Sequence, residues 1–381
     1  MKQTRITSST LPAVAALLLL LLGACAAPPV GDCQPGGSAA MTVLCGFRNP
    51  EDIRRLPDQR TLLVSQVSGL LQPRPGQLRF FDTLKQTVST AFPAGAQSPD
   101  AAGEGRPPEP WGASNCPGMP GAEFSPLGIS VQQRHDGRWQ VAAVNHGGRM
   151  SVEMFELGTT GAGQHSLAWR GCVIAPAGVS LNSVALLRSG GFVASHMFDP
   201  SAPTLLGLNT SMLKSQLGIA TGYAFEWLPT REQEFRVLAG SHGAFPNGIA
   251  LSADERAVFL SLTADKQVIK LDRGSGARLA AVAVDSPDNL SWDQQGWLLA
   301  ASLMGNKLQH FSCVRHPDEG CGLAFRILRI DPDALRAETV FEHEGAPMGA
   351  VTVAEQLGDS LYLGSFTGDR ILKIPYRERA P

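Results

Sequence analysis

The sequence predicts an all-β fold, a six-bladed β-propeller with four-stranded blades around a central channel. Three observations predict it. A unit of a short apolar strand, a polar or glycine turn and a second apolar strand recurs six times, mostly with further strands behind it, at about 40 to 75 residues per unit. Four of the six units begin with an Asn or an acidic residue. The composition is turn-rich and modestly charged: 41 Gly and 27 Pro in 381 residues, about 18% against roughly 12% in average proteins, with 17% charged residues. A β-sandwich or a pair of β domains is the competing architecture. The net charge of −2 and the lack of a basic cluster in the folded region exclude nucleic acid as an expected partner.

The N-terminal residues read as an address. Lys2 and Arg5 precede an apolar run, Leu11 to Leu22, that is too short to span a bilayer comfortably. Leu22-Gly23-Ala24-Cys25 resembles the bacterial lipoprotein cleavage box, with Cys25 as the acylated residue; ordinary cleavage at Ala24-Cys25-Ala26 is the alternative. The expected organisation is a signal peptide over 1–24, a Pro/Gly/Ala tether over 25–40 and the propeller over 41–381. The expected location is the bacterial envelope, with the alanine after Cys25 pointing to the outer membrane and the periplasm. Besides Cys25 the chain has six cysteines, an even number that in an exported protein predicts disulfides. Cys313 with Cys321 and Cys33 with Cys45 are local pairs, which leaves Cys116 with Cys172. No C-x-x-C occurs, so a zinc or thioredoxin-like site has no support.

The clearest unit runs from Phe245 to Ser261, where Phe245-Pro246-Asn247-Gly248 opens a strand through Ile249 and Leu251. It turns at Ala253-Asp254-Glu255-Arg256 and resumes at Val258-Phe259-Leu260. The other units start at Ile53, Ile129, Val184, Leu290 and Val351, and Gln267 to Leu271 with Arg278 to Val284 read as third and fourth strands of one blade. Two insertions break the rhythm. Ala94 to Ser125 is Gly/Pro-rich, and Pro203 to Gly222 includes Leu213 to Ile219 as a helical turn or two.

In a propeller the innermost strands begin around one channel, so the residues just before them converge. Those positions are Glu51-Asp52, Leu127-Gly128, Asn182-Ser183, Asn247-Gly248, Asp288-Asn289 and Gly349-Ala350. Glu51, Asn182, Asn247, Asp288 and Asn289 offer side-chain oxygens and two negative charges, a donor set suited to calcium rather than to zinc or copper. Singly, each could be a turn residue; their shared phase is what points to a metal.

At these residues the chain is similar to the paraoxonase/arylesterase family, within the wider group of gluconolactonase-like propellers. The similarity covers about Asn49 to Ile374. It rests on E-D-I at Glu51, P-L-G-I-S at Pro126, V-N-H at Val144, L-N-S-V at Leu181, F-P-N-G-I-A-L-S at Phe245 and P-D-N-L at Pro287. The resemblance implies a calcium-dependent hydrolase of lactones and aryl esters, with Glu51, Asn182, Asn247, Asp288 and Asn289 as ligands of a catalytic calcium. Asp52 would serve a second, structural calcium, but Ser183 stands where the family has that ion's other aspartate. Of the family's two-histidine proton-transfer pair, His146 matches one member, and Leu127 replaces the other. Asp288 is then the expected base, with His146 as a second catalytic candidate or a core histidine; His196 is placed at a pocket mouth or a loop surface.

The expected function is hydrolysis of a small lactone or carboxylic or aryl ester by an envelope-anchored, calcium-dependent enzyme. The alternatives are a gluconolactonase-like enzyme, a strictosidine synthase-like enzyme, and a non-catalytic calcium-stabilised scaffold. His146-Gly147-Gly148 occurs without any G-x-S-x-G, which leaves an α/β-hydrolase reading unsupported.

Overall fold

The computed structural model describes residues 26–38, 40–68, 74–93, 109–160, 163–205, 208–231, 234–315 and 318–376. The signal segment, Cys25 and residues 94–108 lie outside them. Blade 1 is Pro50–Arg55, Thr61–Ser68, Arg74–Asp82 and Thr87–Phe92, in that order from the channel outwards. Blades 2 to 5 repeat the plan, opening with Pro126–Gln133, Leu181–Leu186, Pro246–Leu251 and Pro287–Trp292. Blade 6 takes Val351–Leu357, Ser360–Ser365 and Arg370–Pro375 from the C-terminal end of the chain and Met41–Cys45 from its N-terminal part. Six antiparallel blades form a ring, a six-bladed β-propeller.

The ring is held by one apolar cluster at each of its six blade interfaces. Between blades 1 and 2, Phe92 meets Phe124 and Phe155 edge-on, each at 4.9 Å between ring centroids. Between blades 2 and 3, Trp227 stacks on Phe192 at 5.5 Å. The other interfaces rest mainly on β-branched residues and Leu, as in Ile249, Val258, Leu260 and Ile269 of blade 4 against Val193 of blade 3. Each inner strand is packed on both faces, which is why sequences such as P-N-G-I-A-L are apolar nearly throughout rather than alternating.

Three features went beyond the sequence reading. Closure by Met41–Cys45 against Arg370–Pro375 ties the two chain ends together, a pairing with no local signal. The segment expected as a tether is part of the fold from Ala27 onward. Gly36–Ser38 pairs with Met41–Cys45, Gly322 donates to the Pro28 carbonyl at 2.7 Å, and Cys33 N–H donates to Asp369 at 2.9 Å. Its many Pro and Gly residues follow loop surfaces, where regular hydrogen bonding is not required. The second insertion forms helix α1, Thr210–Ser215, starting earlier than expected because the Asn209 side chain accepts from Met212 N–H at 3.0 Å and so caps it. A further helix, α2 (Lys307–Arg315), lies between the second and third strands of blade 5.

The disulfides are Cys33–Cys45, Cys116–Cys172 and Cys313–Cys321, as expected. They fasten the N-terminal segment to the closing strand, the insertion to the edge of blade 2, and the end of α2 to the loop that follows it.

Candidate functional site

The six inner strands share a local distortion at their channel-side start. Their pairing register breaks between Pro50 and Asp52, Pro126 and Ile129, Leu181 and Val184, Pro246 and Ile249, Pro287 and Leu290, and Val351 and Val353. A bulge re-aims side chains that would otherwise alternate between the faces of a strand. Glu51, Asn182, Asn247, Asp288 and Asn289 all fall inside these bulges. In four blades the residue just before the strand is a non-glycine with positive φ: Asn49 at 45°, Phe245 at 57°, Ser286 at 36° and Ala350 at 51°. Such backbone costs on the order of 1–3 kcal/mol per residue and persists where surrounding structure holds it for a purpose.

Two glycines bring the strands close. A Cβ on Gly248 would lie 2.3 Å from the Asp288 carbonyl oxygen, and one on Gly128 would lie 2.6 Å from that of Asn182. Neither position has room for a side chain, so neighbouring blades present their bulges almost in contact.

Hydroxyls from adjacent strands and turns fix the backbone of these bulges. Ser195 Oγ donates to the Asn247 carbonyl at 2.5 Å, Thr352 Oγ1 to that of Glu51 at 2.7 Å, and Thr263 Oγ1 to that of Pro287 at 2.7 Å. The side-chain amides donate sideways. Asn289 Nδ2 donates to Glu51 Oε1 at 2.8 Å, Asn182 Nδ2 to the Met197 sulfur at 3.1 Å, and Asn247 hydrogen-bonds Asp288. What remains is a set of buried oxygens with no partner: Glu51 Oε2, Asn182 Oδ1, Asn247 Oδ1 and Asn289 Oδ1. Leaving one buried acceptor unsatisfied costs about 1–3 kcal/mol, and native structures rarely tolerate several together. Four on neighbouring bulges are what an oxygen-coordinated cation would satisfy.

The electrostatics agree. Burial, reinforced by the charges of Asp52 and Asp288, raises the Glu51 carboxyl well above the ordinary range. Burial likewise pushes Asp288 up to about 7, with Asp52 adding to the effect and the hydrogen bond from Asn247 opposing it. Among the described residues no group of three or more His, Cys, Asp or Glu is arranged to hold a metal. The donor set is two carboxylates and three amides, which fits a hard cation of calcium type.

Asp52 differs from its neighbours. Its Oδ1 takes an ion pair from Arg54 at 2.7 Å and the Ile53 N–H at 2.9 Å, while Oδ2 accepts from Ile129 N–H at 2.8 Å. It is fully buried and fully partnered, so it braces blade 1 against blade 2 and leaves no oxygen free. Burial pushes it up to about 6, with the Arg54 guanidinium as the main opposing influence. Ser183, the residue expected to weaken a second ion site, has a buried and unpartnered hydroxyl.

His146 is half-buried, and its Nε2 lies 2.6 Å from the Leu181 carbonyl, which makes Nε2 the protonated nitrogen and leaves Nδ1 the lone pair. Burial lowers its pKa, so it is neutral at pH 7. Leu127 is 1% exposed and packs with Val144 and Leu181 in the cluster between blades 2 and 3. His196 is buried rather than on a loop surface; its Nδ1 accepts from Ser180 N–H at 3.1 Å and its ring meets Tyr223 edge-on at 4.9 Å. Sequence reasoning missed Asn49. It is fully buried with both side-chain polar atoms unpartnered, and its position before Pro50 was the available signal.

The described part of the first insertion, 109–125, follows blade 2 instead of crossing the channel. Trp111 N–H donates to the Arg170 carbonyl at 2.8 Å and Ala113 N–H to that of Cys172 at 3.0 Å. A cavity of about 260 Å³ lies at the other end of the channel, lined by Arg54, Arg55, Gln132, Leu251, Trp292 and Glu355. None of the five shell residues lines it. The unsatisfied oxygens and that cavity are therefore separate features of the channel.

In three dimensions the chain is similar to a gluconolactonase from Xanthomonas campestris, with a TM-score of 0.49, 18% identity, and 92% of this chain and 98% of that chain covered. It is similar to a calcium-binding protein, regucalcin, from Agrobacterium tumefaciens, with a TM-score of 0.49, 13% identity, and 91% and 97% covered. No curated protein matches the sequence. The arylesterase family model matches residues 114–372, more than half of the chain, and the protein therefore belongs to the arylesterase family.

Proposed function

We propose that this chain is a calcium-dependent hydrolase of lactones or of carboxylic and aryl esters, held at the bacterial envelope by a lipid on Cys25. The observation that supports it most is the set of buried, unpartnered oxygens of Glu51, Asn182, Asn247 and Asn289 beside Asp288, in a member of the arylesterase family. These five residues would hold the ion. Bound there, calcium supplies Lewis acidity towards a carbonyl oxygen and the charge that develops on it. Asp288, whose carboxylate would lie beside the ion, is suited to take a proton from water. His146 holds its Nε2 proton on the Leu181 carbonyl and keeps Nδ1 as a second proton acceptor. Leu127 presents an apolar wall and moves no proton, so chemistry through a histidine pair is not expected. The test is turnover on a panel of lactones and aryl esters with and without a chelator. Chelator-sensitive turnover is expected, and absence of it on every substrate would overturn the reading.

One observation favours a second reading, a calcium-stabilised scaffold: Leu127 is buried where a proton-transfer group is expected. Calcium that raises Tm but supports no turnover would select it.

A further inference from the structure

The far end of the channel holds a cavity for which the metal shell has no use. It measures about 260 Å³ and is lined from the inner strands of all six blades, towards the ends of those strands. Small-molecule pockets usually span roughly 300 to 1,000 Å³, so it suits a compact ligand. Val184, Ile249, Leu251 and Leu290 give it apolar walls. Trp292 adds an aromatic one, its indole N–H already donated to the Leu251 carbonyl at 2.9 Å.

On its arginine side the cavity has donors to spare and no spare acid. Arg54 commits both terminal nitrogens: Nη1 pairs with Asp52 at 2.7 Å and donates to the Ile53 carbonyl at 2.9 Å, and Nη2 donates to that of Leu290 at 3.2 Å. Arg55 commits Nη1 alone, to Glu355 at 3.0 Å and to the Trp292 and Gln356 carbonyls at 2.9 and 3.2 Å. Among the described residues nothing accepts from Arg55 Nε, Arg55 Nη2 or Arg54 Nε. Nε and Nη2 together form a guanidinium edge that holds a carboxylate by two parallel hydrogen bonds. The Arg55 side chain lines the cavity and is 24% exposed. The acids are already matched. Asp52 takes Arg54 and two backbone N–H groups, and Glu355 holds Arg55 at 3.0 Å with Arg54 at 4.0 Å. A cation therefore finds no free carboxylate here. Two arginines against two acids leave no net charge, which disfavours a multiply charged anion. A single carboxylate fits the open edge.

We propose that this cavity is a binding site for a small monocarboxylate with an apolar body. Arg55 Nε and Nη2 grip the carboxylate side-on, and the body lies against Trp292, Ile249 and Leu251. Ester or lactone cleavage releases acids of this class, so the reaction proposed above would supply the ligand. The site itself does not depend on that reading, because it shares no residue with the metal shell.

The test is titration calorimetry of the full chain with benzoate, benzamide and inorganic phosphate. Benzoate is expected to bind one site per chain, and benzamide and phosphate to bind at least about tenfold more weakly, the equivalent of one charge-assisted hydrogen bond. The double variant Arg55→Met, Glu355→Met removes the gripping edge without leaving a buried charge unpaired. It is expected to lose at least about tenfold in benzoate affinity, with an unchanged Tm to show that it is folded. Should it fail to fold, Arg55→Lys decides: it keeps the charge beside Glu355 but has no planar edge, and the same direction of loss is expected. Asp288→Asn, at the other end of the channel, is expected to bind benzoate as the wild type does. No benzoate binding, benzamide or phosphate binding as tightly as benzoate, or full affinity in the folded Arg55 variant overturns the proposal. So does loss of benzoate binding in Asp288→Asn, which would place the carboxylate on the metal shell. Turnover is not measured in any arm, so failure here leaves the hydrolase reading standing, and the reverse holds.

Discussion

The two ends of the channel are built from the same six strands and solve the same problem in opposite ways. At the starts of the strands, Glu51 and Asp288 are buried with amides whose oxygens have no partner. Towards the other end, Asp52 and Glu355 are equally buried, but the chain supplies its own cations. Arg54 pairs with Asp52 at 2.7 Å, and Arg55 with Glu355 at 3.0 Å while also donating to the Trp292 carbonyl at 2.9 Å. One end is electrostatically closed by guanidinium groups. At the other, oxygens of Glu51, Asn182, Asn247 and Asn289 stay buried without a partner. The proposed carboxylate ligands are thus the buried carboxylates of this ring that no arginine pairs with directly.

Breaking the closed end should have the largest effect. Arg54→Met leaves Asp52 buried without its cation, and a broken buried pair costs about 3–5 kcal/mol. The measurement is chemical unfolding; adding Asp52→Asn should recover most of the loss, and failure to do so would mean that Arg54 acts through packing. At the open end, Asp288→Asn removes one of two charges from the shell. Calcium affinity by titration calorimetry should fall more than about 100-fold, beyond the 10–100-fold typical of a lost outer partner. Gly248→Ala probes the close approach between blades 4 and 5. Its methyl meets the Asp288 carbonyl, so it should cost about 1–3 kcal/mol and weaken calcium binding together.

A pH series sharpens the contrast. Asp288 in the folded, calcium-free chain has its pKa raised to about 7, while in the unfolded chain it is an ordinary aspartate. Between about pH 4 and 7 the folded state therefore holds the extra proton, so calcium-free stability should decline as pH rises through that window. Calcium needs the carboxylate, so its affinity should weaken as pH drops below about 7, by at most about tenfold per unit for this one proton. Denaturation and calorimetry at several pH values check both. The smallest expected effect is Leu127→His, which should add arylesterase activity if the rest of the site is complete, measured on an aryl ester.

Much of the fold was legible in the sequence because short apolar runs separated by polar or glycine turns repeat locally in every blade. The convergence of the proposed ligands was legible because a repeat gives equivalent positions a common phase, so Asn182, Asn247 and Asp288 could be aligned without knowing any contact. The closing strand Met41–Cys45 was not legible, since its partner lies more than three hundred residues away and its own pattern is that of any short strand. The role of Asp52 was hidden for a related reason. Glu51 and Asp52 look equivalent in sequence, and only the bulge, with Arg54 reaching back from the same strand, separates an open oxygen from a closed ion pair. Asn49 was missed because an Asn before Pro reads as a turn former.

Metal analysis of the purified full chain, beside Asp288→Asn and Asp52→Asn prepared in the same way, tests the central claim most directly. The account predicts one calcium per chain in the wild type, retained by Asp52→Asn and lost by Asp288→Asn. A wild-type chain without calcium, or calcium that follows Asp52 instead of Asp288, would contradict it.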